Sequence, residues 1–407
     1  SRVRESAMHE AESEETAALL LTGDVMLGRG IDQILPHPSD PVVFEEYAKS
    51  ACDYVRLAQT RNGAIGQPVS FHYVWGAALD EIDRCQPDVR IINLETAVTT
   101  SATFEDKGIN YRMNPANIAV LDAARIDACT LANNHVGDWG RDGLAETLAT
   151  LHRAGIATAG AGLNETEAAT PAILPLTPKG RVILIGLGSV TSGIPGGWRA
   201  TSTEPGLQLI PEDTAAAIEA VRRVVIPLKA PNDIVVASIH WGGNWGYEVP
   251  GRQREIAHGL VEQAGVDIVH GHSSHHPRPI EVHRDKLILY GCGDFINDYE
   301  GIAGYDEYRG DLTIAYLAVV ALRDGALRRL EMLPFRIRRL RLERASQSEA
   351  RWLAATMNQE SAGFGTRIEL DDNPPRSPVP PGAQPPYATL RVSGTAPQGA
   401  PTRRMTR

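Results

Sequence analysis

Between residues 18 and 365 the chain alternates short apolar runs with amphipathic stretches. Residues 19–22, 89–93, 126–131, 182–187, 234–239, 266–269 and 287–290 are rich in Val, Ile and Leu and too short for buried helices. They read as strands, and their near-continuous apolar character suits a parallel sheet covered on both faces. Leu144, Leu148 and Leu151 recur at helical spacing across 143–154, and 214–225 and 252–263 carry the same period. Further helices are expected near 43–59 and 76–85. Strands separated by helical stretches of about 10–15 residues predict an α/β sheet with helices on both sides. Residues 312–322 and 326–337, split by Arg323-Asp324-Gly325-Ala326, read as a β-hairpin closing the sheet, and 346–357 as a last helix.

The two ends differ from this body. Residues 1–17 are polar and acidic, with Glu5, Glu10, Glu12, Glu14 and Glu15, and have neither the cationic start nor the apolar run of a signal peptide. Residues 366–407 turn Pro-rich after Asp371. Both ends are expected to be disordered, leaving one catalytic domain over 18–365. No apolar run approaches the ~18 residues that a membrane span needs, so no membrane anchor is expected.

A 43% hydrophobic and 22% charged composition is that of a soluble globular chain. Its formal charge of -10 argues against nucleic acid as a partner, since phosphate contacts require a basic face. The Arg-rich stretch 336–344 is read as a solvated strand and turn. Cys52, Cys85, Cys129 and Cys292 are far apart, with no CxxC spacing, which fits a reducing cytoplasm and small core residues.

The chemistry gathers where strand-like runs end. Four histidines, His270, His272, His275 and His276, fall within seven positions directly after an apolar run. Upstream, other runs end in Gly23-Asp24, Asn93-Leu94-Glu95, Asn133-Asn134-His135 and His240-Trp241-Gly242. Each alone has an ordinary explanation. Gly-Asp is often a turn, Asn a helix cap, and a single His a satisfied core residue. Ligands of open α/β sheets collect outside the carboxyl ends of strands. Five such ends carrying N and O donors point to one composite site for a divalent cation, with Mn, Zn, Co, Fe and Ca all compatible and one or two ions possible.

Gly23-Asp24-Val-Met-Leu-Gly-Arg29, Asn93-Leu94-Glu95, Tyr111-Arg112-Met113-Asn114-Pro115, Leu131-Ala-Asn-Asn-His135, His240-Trp241-Gly242, Gly271-His272-Ser-Ser-His275 and Gly291-Cys-Gly-Asp-Phe295 together resemble the CapA family of poly-γ-glutamate capsule synthesis, a relative of calcineurin-like metallophosphoesterases. The resemblance covers roughly 18–340. It implies an α/β fold of the four-layer α/β/β/α sandwich type. It also implies that Asp24, Glu95, Asn134, His240 and His272 are metal ligands, that His135 protonates a leaving group, and that His275 is the last histidine of the Gly-His-x-His motif. His270 and His276 have no counterpart; His276 is taken as a nearby acid/base group. Arg112 and Asn114 fall in the family's substrate-facing segment, and Trp241, with Trp245 and Tyr247, offers either an aromatic wall or a core seam. Residues 193–198 look like a loop over the site.

Two departures matter. Met26 stands where phosphoesterases carry a histidine, and Asn-Leu-Glu replaces their second Asp motif. The expected reaction is therefore divided. A hydrolase would use a cation-activated water with His135 as acid. A peptide epimerase, of the kind implicated in lasso-peptide maturation, would use histidines to remove and return an α-proton beside one Lewis-acid ion. The peptide epimerase is the narrow preference, with a peptide or poly-glutamate-type substrate. Phosphoester hydrolysis and a role as capsule synthesis factor are the other readings.

Overall fold

The structure, a computed structural model, describes residues 14–371 and 389–395. Two mixed sheets dominate it. In the first, Thr16–Val25 lies between Val89–Leu94, its parallel neighbour, and Leu312–Ala321, its antiparallel one. Ala128–Thr130 and Ala157–Ala159 extend one side; Leu327–Ile337, Thr389–Thr395 and Thr366–Asp371 extend the other. The second sheet runs in the order Ile280–His283, Lys286–Leu289, Ile268–His272, Asp233–His240, Gly180–Gly188, Ala172–Leu176. Its centre is parallel, and Asp233–His240 is buried at every position, as is Val89–Leu94 in the first sheet. Strands covered on both faces carry apolar residues without alternation.

Three apolar clusters show how the faces are covered. Leu19, Leu21 and Ile91 of the first sheet pack with Leu184, Val236 and Leu287 of the second. Leu20 and Ile92, pointing the other way along the same strands, meet Val55, Ile82, Leu144 and Leu148 of the helices Cys52–Asn62, Ala78–Cys85 and Gly140–Arg153. On the far face of the second sheet, Ile183 and Val235 meet Ile218, Val221, Ile256 and Leu260 of Thr214–Leu228 and Gly251–Gln263. The molecule is a mixed α/β protein with helices against both outer sheet faces. Among the described residues no helix is long and apolar enough to cross a membrane.

Local chemistry fixes the helix starts. Asp213 accepts from Ala216 N–H at 2.8 Å, and Ser346 with Glu349 forms a capping box ahead of Gln347–Ser361. The expected helix over 43–59 begins only at Cys52. Its first part is held as a loop because Glu45 is drawn inward, bonded to Arg29 Nη1 at 2.9 Å and to the Tyr54 hydroxyl.

Both expected ends require correction. Thr16 and Ala17, assigned to the acidic head, are already in the first strand. Thr366–Asp371 and Thr389–Thr395, assigned to the tail, pair antiparallel, and Ile368 and Leu390 join the inner core. Their alternating apolar positions were hidden by the surrounding prolines. Residues 1–13, 372–388 and 396–407 lie outside the described residues. The Arg-rich 336–344 stretch is less solvated than expected, since Leu340 and Leu342 are buried, Arg344 pairs with Glu81, and Arg339 and Arg341 pair with Glu343.

One close approach positions the site. The short strand Asp294–Ile296 runs parallel beside the end of Thr16–Val25, aligning Asp24 with Asp294, while Asp24 also aligns with Asn93 across the other edge. This needs glycine at 23, because a Cβ there would stand 1.6 Å from Gly293 O. Backbone on both sides leaves nothing soft to give way. Gly23→Ala is expected to destabilise the fold by about 3 kcal/mol, as overpacked cores do. Gly251→Ala, where the new methyl meets open space at a helix start, should instead gain about 0.5 kcal/mol. Chemical denaturation of the two variants checks the contrast.

Candidate metal centre

Asp24 is fully buried where the first strand ends. Asn93 Nδ2 donates to its Oδ1 at 2.7 Å, and Ser273 N–H to its Oδ2 at 3.2 Å. Ser273 reaches that position only at φ 103°, a strained conformation for a residue with a side chain. Glu95, two residues beyond Asn93, points into the same space. Burial raises the Asp24 carboxyl, with the Asp294 charge adding to it; burial raises Glu95 as well, with Asp24 adding to it. Carboxylates crowded in this way, away from water, call for a cation or shared protons.

The parallel register His240↔His272 brings two imidazoles together at adjacent strand ends. Their Nδ1 atoms are 2.8 Å apart. Asp24 Oδ1 is 3.7 Å from His272 Nδ1 and 4.0 Å from His240 Nδ1, and Glu95 Oε1 is 4.0 Å from His240 Nε2. Burial pushes both imidazoles well below their ordinary pKa, so they are neutral.

Hydrogen bonds around the pair settle where the protons sit. Thr22 O can only accept, so His270 Nε2 donates to it (2.8 Å). Burial takes the His270 pKa down to about 4, leaving its Nδ1 an acceptor, so that the one Ser238 hydroxyl proton is directed to His270 Nδ1 (3.0 Å) or Thr130 Oγ1 (3.2 Å). Ser238 Oγ then accepts from His272 Nε2 at 2.9 Å, which puts the lone pair of His272 on Nδ1. His240 Nε2 faces Asn134 Oδ1 at 2.9 Å and donates to it, so its lone pair is also on Nδ1. Two lone pairs therefore face each other beside Asp24, the arrangement of imidazole ligands whose outer nitrogens are held by acceptors. Asp24, His240 and His272 have donor atoms all within 4.8 Å of one another. The donor set fits a divalent cation, with Glu95 and Asn134 at its edge.

A second group shares Asp24. His275 Nδ1 is 2.8 Å from Asp294 Oδ1, and the donor atoms of Asp24, His275 and Asp294 again lie within 4.8 Å. Burial works against charge on His275, but Asp294 outweighs it and raises the pKa. On the Glu95 side stands His135, with Nε2 3.9 Å from Glu95 Oε1 and Nδ1 2.7 Å from Asp138 Oδ2. Asp138 also accepts from Lys107 Nζ and Tyr111 N–H, both at 2.7 Å. Burial and the Lys107 charge lower the His135 pKa to about 4. One histidine held below its ordinary pKa beside Glu95 and one held above it beside Asp24 thus flank the cluster, each steered by a carboxylate.

A third set, His258, Glu281 and His283, also satisfies the distances. Its imidazoles stack 3.8 Å apart at 6°, so their lone pairs run parallel and do not converge on one ion.

Of the cluster, His275 lines a cleft of about 790 Å³, walled beside it by Arg29, Tyr111, Trp245, Asn297 and Tyr299. Of the expected residues, Asp24, Glu95, Asn134, His135, His240, His272 and His275 are brought together. His276 is not. It follows His275 in the bend 274–276, and its ring packs on Tyr308 (4.5 Å) and Tyr247 (4.6 Å). The three expected substrate contacts are occupied structurally. Arg112 donates to Ser101 O (2.9 Å) and Asp40 O (3.1 Å) and stacks on Trp139. Asn114 caps the turn Pro115–Asn117 through Ala116 N–H. Trp241 is a core seam, its indole N–H bonded to Tyr290 O, whereas Trp245 stacks on Tyr305 (4.1 Å) at the cleft. The 193–198 loop reaches the site through Trp198, whose ring lies 5.2 Å from Lys107 Nζ. Met26 is buried, with the Tyr299 hydroxyl 3.6 Å from its sulfur.

Asn93, Asp138, Asp294 and Lys107 were missed as site residues. Asp294 stood in the Gly-Cys-Gly-Asp-Phe run, and Asp138 lies three residues after His135; both were legible as residue types near motifs.

Strand-end histidines and carboxylates on a mixed α/β scaffold are those of a metallophosphatase-like protein. The chain belongs to the bacterial capsule synthesis protein family PGA_cap, the CapA family, whose model matches residues 18–299. It is 45% identical over 360 residues to a probable polyglutamine synthesis accessory protein of Mycobacterium tuberculosis, covering 88% of this chain and 94% of that one. It is 24% identical over 327 residues to the PGA biosynthesis protein CapA of Bacillus subtilis, covering 80% and 73%. With the capsule biosynthesis protein CapA of Bacillus anthracis it shares 25% over 325 residues, covering 79% and 68%.

Asp138→Ala would strand Lys107, the Tyr111 amide and His135 together. A loss of about 3 kcal/mol is expected, as for other broken buried pairs, with the Nδ1–H signal of His135 lost from the nitrogen-15 spectrum.

Proposed function

We propose that this chain is a cation-dependent enzyme acting on a polyglutamate-type peptide chain by removing and returning a proton at a peptide α-carbon. The carrying observation is the pair of His–carboxylate units, His135–Asp138 beside Glu95 and His275–Asp294 beside Asp24, around the Asp24–His240–His272 cluster. The names of the relatives, which concern polyglutamine synthesis and capsule biosynthesis, support the substrate class. The apolar clusters support reading the layers as the α/β/β/α sandwich of calcineurin-like metallophosphatases.

Asp24, His240 and His272, with Glu95 at their edge, would hold the cation, while Asn134 would hold the outer nitrogen of His240; Mn, Zn, Co, Fe and Ca suit these N and O donors. When bound, the ion supplies Lewis-acid polarisation of a carbonyl oxygen, which acidifies the adjacent α-carbon. His135, neutral with Nε2 free, takes the proton as base, while Asp138 holds its tautomer. His275, protonated beside Asp294, delivers a proton from its own side. Each cycle leaves the substrate inverted and one proton exchanged with solvent. Aromatic walls at Trp245 and Tyr299 keep bulk water from the exchanging groups.

A specific feature favours a second reading, phosphoester hydrolysis. Asp24 belongs to both donor groups, and a second ion on Asp24, His275 and Asp294 would occupy His275 and leave His135 as leaving-group acid.

Ion stoichiometry separates the readings. Calorimetric titration of metal-free protein with Mn²⁺ or Zn²⁺ should find one strong site, weakened about 100-fold or more by His272→Ala and untouched by His276→Ala. Two sites of comparable affinity would favour hydrolysis. In D2O, a glutamate-containing peptide should gain α-deuterium with the wild type, and His275→Ala should slow this at least about 100-fold. Retention of full exchange in that variant would overturn the proton-transfer reading.

A further inference from the structure

Arg278 follows the histidine run and is buried, with 4% of its surface exposed. Its Nη2 donates to Gly243 O at 3.1 Å. Its Nε and Nη1 are enclosed and have no partner among the described residues, and the ionisable side chain that acts on it is the phenol of Tyr308, not a carboxylate. Buried guanidinium groups are ordinarily paired.

Other unpartnered polar atoms lie in the same neighbourhood. Gln253 Oε1 and His276 Nε2 are buried without partners, in residues 6% and 1% exposed. Gln253 and Arg278 flank one residue, since a Cβ on Gly242 would stand 2.5 Å from Gln253 Nε2 and 3.1 Å from Arg278 Nη1. Unsatisfied groups in the native state are normally scattered and few, and a cluster of them marks a place built to meet something polar.

A glycine-rich turn borders this place. Gly243, whose carbonyl Arg278 holds, is exposed, and a Cβ on Gly243 or Gly246 would meet nothing within 4 Å. Gly242 and Gly246 sit at φ 80° and 102°, conformations that glycine adopts without strain. The next residues of the turn, Asn244 and Trp245, line the cleft. Arg278 is thus one peptide away from the substrate's path.

From this geometry, and resting on the acidic-chain reading above, we infer that Arg278 is a specificity-determining residue of the cleft. When the 242–246 turn shifts, its free N–H groups receive a carboxylate of the bound chain through charge-assisted hydrogen bonds. Acidic peptide chains are selected over neutral ones of equal length because only they satisfy the buried charge.

The test uses the full chain with a glutamate oligomer and a glutamine oligomer of equal length, followed by calorimetry and thermal melts. The wild type should bind the glutamate oligomer at least about tenfold more tightly than the glutamine one. Arg278→Met should erase that preference while melting at the same temperature or higher, since an uncompensated buried charge has been replaced by an apolar chain of similar length. Arg278→Lys should keep an intermediate preference. Undiminished glutamate binding in Arg278→Met would overturn the inference alone. Lower melting temperatures in both variants together with lost binding would mark Arg278 as a prop for the turn, also overturning it. No glutamate binding by the wild type would overturn both the inference and the acidic-chain reading.

Discussion

A fully buried carboxylate is the constraint on which the rest of this structure depends. Asp24 is held between two parallel neighbours, opposite Asn93 on one edge and Asp294 on the other. A negative charge in that position is tolerable only with donors close by. Asn93 and the strained Ser273 amide donate to it for that reason, and the lone pairs of His240 and His272 stand beside it where a cation would complete the set. The absence of a side chain at residue 23 lets the strand carrying Asp294 come near enough to matter.

Around this centre the fold sorts similar residues into different tasks by their environment. His270, fully buried, is held by Thr22 O and orients Ser238 and through it the His272 tautomer. His135 and His275 have the same side chain and opposite protonation tendencies, because one faces Lys107 and the other Asp294. His276 has left the polar cluster for an aromatic stack. Such divergence among identical groups is how one site acquires both an acid and a base.

The cleft also explains why arginine content is a poor guide to substrate contacts here. Arg112 is saturated by backbone carbonyls and Arg29 by Asp298 and Glu45. Arg278, hidden behind a glycine turn, has donors to spare. Position relative to acceptors, not charge, decides which guanidinium is available.

The sequence by itself determined much of this. Hydrophobic period located most strands and helices, because burial on both faces leaves a continuous apolar signature, and strand ends carrying Asp24, Glu95, Asn134, His135, His240, His272 and His275 marked the site residues by donor type. It misjudged the ends, where strands with alternating apolar positions were masked by their acidic and Pro-rich surroundings, and it did not foresee the structural partners of Arg112, Asn114, Trp241 and His276. Those errors share a cause: a side chain's partners are set by residues distant in the chain. Only the tertiary structure decided that Asp294 rather than a residue near 26 completes the second donor group. Only it revealed that Asp138 steers His135 and that Nε and Nη1 of Arg278 have no partner among the described residues, since direction and satisfaction of polar groups arise when separate strands and turns are brought together.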